Sequence, residues 1–280
     1  MTLERQSQLI ERLVAHLTEH GGKSSVVDIC NDVFEIANCA EPMARRLVAA
    51  AVAGESRISM RSDGGVHLSR RRGNDPLISR LRYAVIDLET TGLPPPKHRV
   101  TEIAAVLVES SKITDDFSAL INPGVPIPRR IVNMTGITND MVADAPEFNE
   151  VADAIVDILG KRVLVAHNGS FDVNFLNAEL GRAQGARIAN PTLCTVRLSR
   201  ALLPGLDSYK LGSVADYFGV GIEGRHRALG DAAATASVFI RLCAIAEDKG
   251  LVRLSQLMNI AGVKLSDGNS GKNSGNRSRK

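Results

Sequence analysis

Between residues 80 and 121 three strand-like runs follow one another with no room for a helix between them, and from residue 146 strands and helices alternate. Few folds accept that change of rhythm. The runs are Tyr83–Ile86, residues 100–108 (VTEIAAVLV) and residues 112–121 (KITDDFSALI). Parallel neighbours need a crossover of about a dozen residues or more, so the last two runs should pair antiparallel. Then Pro146 to Leu159 reads as a helix, Arg162 to Ala166 as a strand and residues 172–184 as a helix, with further helices over 210–218 and 228–247. The expectation is an α/β domain with a mixed five-stranded sheet and helices on both faces.

Residues 1–70 read differently. Leu9, Leu13 and Leu17 recur at helical spacing until Gly21-Gly22. A second helix follows with Ser24 or Ser25 as N-cap, and a third runs from Glu41 to Ala53 with Arg45 and Arg46 on it. In RISMRSDGGVHLSR, Ile58 and Met60 alternate with polar residues, Asp63-Gly64-Gly65 turns the chain, and Val66 and Leu68 resume the alternation. That is a hairpin signal. Three helices and a hairpin resemble a winged helix, whose third helix can enter a major groove. Residues 1–72 carry 10 Lys and Arg against 9 Asp and Glu, so charge alone does not choose between a nucleic-acid and a protein partner. Residues 71–79 are expected to be a linker, 80–248 the α/β domain and 249–265 a helical extension. Residues 266–280, with four basic side chains and one Asp, read as a disordered basic tail.

Composition narrows the setting. No apolar run approaches the roughly 20 residues that cross a bilayer, and the start lacks a secretory h-region, so a cytoplasmic protein with no membrane partner is expected. Cys30, Cys39, Cys194 and Cys243 form no CxxC and no histidine stands at zinc spacing, which favours free thiols. A net charge of +3 permits a polyanionic partner without demanding one.

The acids carry more information. Asp87 and Glu89 are two apart at the end of the first strand and share a face. Two carboxylates held together there repel unless a hard cation neutralises them. Asp172 opens the helix after VLVAH, and Asp231 lies near the start of an almost wholly apolar helix, where a carboxylate should have a partner. His226 precedes Asp231 by five residues.

IDLETTGL, AHNGSFDVNFL and the H-x4-D of HRALGDAAATA resemble the three motifs of the DEDDh 3′→5′ exonucleases, which include the proofreading epsilon subunit of bacterial DNA polymerase III. NMTGITNDMV is similar to the loop those enzymes carry between the first two motifs, and the resemblance spans about residues 80–245. It implies a ribonuclease-H-like fold and two divalent cations, Mg²⁺ with Mn²⁺ as substitute, about 3.5–4 Å apart for in-line phosphodiester hydrolysis. Asp87, Glu89 and Asp231 would hold one cation, and Asp87 with Asp172 the second. His226 would be the general base, a task suited to imidazole. Thr90, Thr91 and Leu93 would line the 3′-terminal nucleotide, Leu93 as a wedge against the base. His167 and Asn168 would orient the site or bind substrate, with a structural hydrogen-bonding role as the alternative, and Phe171 would stack on a base or pack with Phe175 in the core.

The implied partners are DNA 3′ ends, single-stranded or frayed, and a polymerase or repair assembly. An RNA or short-oligonucleotide exonuclease is the alternative of the same class, and a non-catalytic winged-helix regulator that of another. With 4% aromatic residues, stacking along a whole strand is not expected, which concentrates recognition at the terminus. Two further features stand apart: Pro94-Pro95-Pro96-Lys97-His98-Arg99 is a stiff basic insertion that departs from the family pattern, and Gln256–Ile260 weakly resembles a clamp-binding peptide but reads better as a short amphipathic helix.

Overall fold

In the computed structural model, residues 3–53, 55, 57–61, 63–68 and 75–262 are described. The expected basic tail, and residues 71–74 of the expected linker, lie outside the described residues. The N-terminal unit comprises α1 (Leu3–Glu19), β1 (Lys23–Ser25), α2 (Val26–Asp32), α3 (Glu41–Ala51), β2 (Ile58–Met60) and β3 (Gly65–Leu68). Ser25 caps α2 by accepting the Asp28 backbone N–H. The hairpin expected from the turn at Asp63–Gly65 gains a third strand, because β1 pairs with β3 on the side opposite β2. Leu13, Leu17, Ile29, Val48 and Val66 form its core.

The second unit begins earlier than the expected boundary at residue 80. Leu77 bridges to Arg253, Ser255 donates to Asp75 through both its backbone N–H and its hydroxyl, and Ile78 is buried. Residues 75–79 are therefore anchored to the domain instead of linking to it. The elements are β4 (Arg82–Thr90), β5 (Val100–Glu109), β6 (Lys112–Leu120), α4 (Arg129–Thr135), α5 (Asn139–Val142), α6 (Phe148–Leu159), β7 (Val163–Ala166), α7 (Ser170–Gln184), β8 (Thr192–Cys194), α8 (Thr195–Leu202), α9 (Leu211–Phe218), α10 (Ala228–Asp248) and α11 (Leu254–Ile260). The sheet order is β6-β5-β4-β7-β8, antiparallel across β6, β5 and β4 and parallel across β4, β7 and β8. This is the mixed five-stranded sheet that the rhythm of the sequence anticipates.

Strand alternation divides the core into two layers and decides where the acids point. Ala84, Ile86 and Leu88 pack with Phe148, Ile155, Phe175 and Leu176 of α6 and α7. Tyr83 and Val85 pack on the other face with Val238, Phe239 and Leu242 of α10, and the Tyr83 and Phe239 rings meet edge to face at 4.8 Å. Each such fully buried large side chain contributes roughly 1.5–3 kcal/mol. Asp87 and Glu89 continue the odd series, so they face α10 at the carboxyl end of the central strand. A Cβ at Gly230 would overlap the carbonyl oxygen of Glu223, so only glycine there lets the preceding loop lie against the first turn of α10.

Two expectations change. Among the described residues α10, at 21 residues, is long and apolar enough to cross a membrane by length and composition, contrary to the reading that no run approaches that length. Ten of its residues are buried inside the domain, so its apolarity is used against β4 and β5. The α11 segment that weakly resembles a clamp-binding peptide is a helix with Gln256, Leu257 and Met258 buried, and they are not presented to a partner.

Candidate active site

The carboxyl ends of β4 and β7 and the first turns of α7 and α10 converge on one site. Asp87, Glu89 and Asp231 each place a carboxylate oxygen within 4.8 Å of the other two. Asp172, in the first turn of α7, is buried, and its carboxylate accepts the backbone N–H of Leu88 between the two β4 acids. It lies outside the triad but is the strongest repulsive neighbour of Asp87. The structure thus joins all four acids, in a three-plus-one arrangement centred on Asp87.

The electrostatics are unfavourable without a counter-charge. Burial first, then repulsion from Asp172, Glu89 and Asp231, raises Asp87 well above the ordinary carboxylate range. Burial and Asp231 push Glu89 up to about 8, burial pushes Asp172 up to about 7, and Asp231 is raised as well. An all-oxygen donor set paying this desolvation cost fits a hard divalent cation and no soft one.

A stability prediction follows. Between pH ~4 and ~8 the folded, metal-free chain binds protons on these raised carboxylates that the unfolded chain has released. Stability therefore falls as pH rises through that window. Mg²⁺ binds the ionised set, so its stabilisation, about 2.7 kcal/mol at a hundredfold excess over Kd, should be present at pH 8 and small at pH 5. Calorimetry with Mg²⁺ or EDTA at the two pH values checks this; equal gains at both would contradict it.

His226 sits on the exposed loop before α10 with φ of 61°, and its backbone N–H donates to Asp231 Oδ2 at 3.1 Å. Asp231 thereby ties the loop that carries the imidazole to the acidic triad. A second tie is absent from the expected residues. Glu102, buried on β5 directly opposite Glu89, accepts Arg227 Nε and Nη2 at 2.7–3.2 Å and the Ala228 backbone N–H at 2.9 Å. It caps α10, and its own charge raises the Glu89 pKa more than the Arg227 it holds lowers it. The signal for it was one acid inside the apolar run VTEIAAVLV, since a buried carboxylate requires a partner.

The other expected residues divide. Leu93 is 63% exposed. Thr90 and Thr91 are buried, and their hydroxyls are spent within the turn: Thr90 Oγ1 donates to the Gly92 carbonyl at 2.9 Å and Thr91 Oγ1 accepts the Arg99 N–H at 3.0 Å. These side chains shape the loop that carries Leu93. Asn168 is exposed with φ of 78°. His167 Nδ1 lies 2.9 Å from Thr195 Oγ1, and burial lowers its pKa to about 4 against a smaller upward pull from the Tyr209 backbone. Phe171 is half-buried with its ring 4.9 Å from that of Phe175, so it packs in the α7 layer.

The proline insertion is pinned to α7. Glu179, 1% exposed, accepts Arg99 Nε and Nη2 at 2.8 and 3.1 Å and Arg182 Nη1 at 2.9 Å, and Arg182 Nη2 donates to the Pro96 carbonyl at 2.7 Å. The Arg99 guanidinium is committed to Glu179 and is not a free phosphate grip.

Comparison with known proteins bears on this geometry. An exonuclease family model matches residues 84–239. The chain is 42% identical over 160 residues to the DNA polymerase III subunit epsilon of Aquifex aeolicus, covering 57% of this chain and 79% of that protein. It is 38% identical over 178 residues to a PolC-type DNA polymerase III of Caldanaerobacter subterraneus, but spans only 13% of that much longer protein. Among solved structures, Exonuclease X in complex with 5′ overhanging duplex DNA superposes with a TM-score of 0.53 at 31% identity, covering 64% of this chain and 99% of that one. Exonuclease I of E. coli with a dT13 oligonucleotide shares the fold at 18% identity, with a TM-score of 0.53, 60% of this chain and 42% of that one being covered.

Proposed function

The chain belongs to the exonuclease family, and from that premise we propose that it hydrolyses DNA from the 3′ end, releasing nucleoside monophosphates. The observation that carries this reading is the convergence of Asp87, Glu89 and Asp231 within 4.8 Å, with Asp172 repelling Asp87 from the other side. Asp87, Glu89 and Asp231 would hold one Mg²⁺, and Asp87 and Asp172 a second. Bound cations supply Lewis-acid activation and neutralise charge developing on the phosphodiester.

The chain's own residues do the rest. The His226 imidazole accepts the proton of the attacking water. Its loop is held by Asp231 through the 226 N–H and by Glu102 through Arg227, so the base and the carboxylates move as one unit. Leu93, exposed on a loop pinned through Arg99 and Pro96 to α7, offers an apolar edge to the terminal base. Asn168, exposed at the end of β7, offers its amide to substrate, whereas His167 is placed to hold β7 against α8.

The named relatives favour DNA as substrate and a replicative polymerase as partner. For the N-terminal unit we read a winged helix that contacts a duplex or a partner protein. Arg46 is exposed on α3, but Arg45 pairs with Glu41 at 3.1 Å, which reduces the positive charge that α3 can offer to phosphates. A cytoplasmic location accords with this role.

The test is a 5′-labelled single strand, offered as matched DNA and RNA with Mg²⁺ or EDTA. The expected result is a ladder shortening from the 3′ end, dependent on Mg²⁺ and faster on DNA. Internal cleavage, or preference for RNA, would overturn the proposal as stated.

A further inference from the structure

His16 and His20 stand one helical turn apart at the end of α1, which corrects the expectation that no histidine lies at zinc spacing. The fold brings Asp32, the last residue of α2, to the same place. One ligand atom of each lies within 4.8 Å of the other two, and His16 Nδ1 is 3.9 Å from Asp32 Oδ2.

The hydrogen bonds settle which nitrogens are available. His20 Nδ1 is 2.8 Å from the His16 carbonyl, which can only accept, so Nδ1 carries the proton and Nε2 holds the lone pair. His16 Nε2 is 3.0 Å from Ser24 Oγ, which leaves Nδ1 toward Asp32. In each ring one nitrogen is therefore anchored and oriented by the protein while the other points away from its anchor. Metal-ligating histidines are held in this way. The rings stack at 4.1 Å and 28°, so one ring must turn out of the stack for both in-plane lone pairs to meet a single ion, and the exposed His20 is the one free to turn. His16 is 8% exposed and fixed, whereas the His20 and Asp32 side chains are at the surface and can rotate inward by the ångström or so that ligation at about 2.0–2.2 Å needs.

We propose that His16, His20 and Asp32 form a transition-metal site, taking Zn²⁺ with water in the remaining position and tying the end of α1 to the end of α2. Two neutral imidazoles and one carboxylate give a nitrogen-rich set that prefers a borderline ion over Mg²⁺. The site is thus chemically distinct from the all-oxygen cluster of the exonuclease domain.

The experiment is equilibrium dialysis of the full chain against ZnCl₂, carried out in an Asp87→Asn/Asp231→Asn background that removes the other cation-binding cluster. One equivalent of Zn²⁺ should be retained. His20→Gln and Asp32→Asn, both at exposed side chains outside the core, should each weaken binding by at least the about 10–100-fold that loss of even an outer-shell partner costs. Co²⁺ in place of Zn²⁺ should give visible d–d absorption that disappears in the same two variants, whose circular dichroism should match the parent. Failure of the parent to retain Zn²⁺, or retention unchanged in both variants, would overturn the proposal and leave His16 and Asp32 as neighbouring side chains alone.

Discussion

Replacing Asp87 with Asn should remove exonuclease activity while making the metal-free protein more stable. Burial and four neighbouring acids, Asp172, Glu89, Asp231 and Glu102, together disfavour Asp87 as an anion, and a neutral amide of the same shape relieves both penalties. The same substitution removes the charge and one of the two oxygens of the carboxylate that would serve both cations. Activity in Mg²⁺ should fall by at least the about 10²–10³-fold that follows loss of one preorganised electrostatic contact. The Tm in EDTA at pH 8 should rise, by roughly 2–4 °C for each kcal/mol relieved, and the stabilisation by Mg²⁺ should shrink. A hydrolysis assay paired with calorimetry reads both quantities. Retained activity would remove Asp87 from the reaction, and a lower Tm in EDTA would mean that Asp87 has a favourable partner in the metal-free fold. The opposed signs matter because an ordinary damaging substitution lowers activity and stability together.

The acids were readable because each stands next to a local signal. Asp87 and Glu89 end an apolar strand, Asp172 and Asp231 open helices, and strand alternation alone places the first two on one face. What was not readable depends on long-range pairing. Glu102 meets Arg227 across 125 positions, and nothing near either residue names the other. The sequence context of Thr90 and Thr91 suggested substrate contact, yet the return of the chain at Arg99, brought close by the proline insertion, takes up the Thr91 hydroxyl. β8, a three-residue strand beginning two residues after Asn190 and running directly into α8, is too short to carry its own periodicity and exists because β7 offers it an edge. The α10 helix was recognised as buried, but its apolarity also meets the length and composition of a membrane span; only the packing against Val85 and Val106 distinguishes the two. His16, His20 and Asp32 are not legible as a group for a related reason: the two histidines are four apart on α1, but the third residue comes from another helix.

His226→Asn is the sharper probe of how the water is activated. The residue occupies left-handed backbone with φ of 61°, a conformation that Asn tolerates better than most other non-glycine residues, so the loop should keep its path and its N–H should still reach Asp231. What is lost is the imidazole. General-base catalysis contributes about 10²–10⁴-fold, so kcat should fall by that amount with KM and Mg²⁺ affinity nearly unchanged. The remaining activity should rise with pH as hydroxide replaces the missing base. His226→Ala serves as the comparison: if it loses Mg²⁺ affinity while the Asn variant does not, the difference measures the loop's hold on Asp231 and not the proton transfer. A His226→Asn enzyme with kcat within about threefold of the parent would place the base elsewhere; among the described residues the other imidazole at the end of β7, His167, is turned toward Thr195, so the proton would then have to leave by solvent.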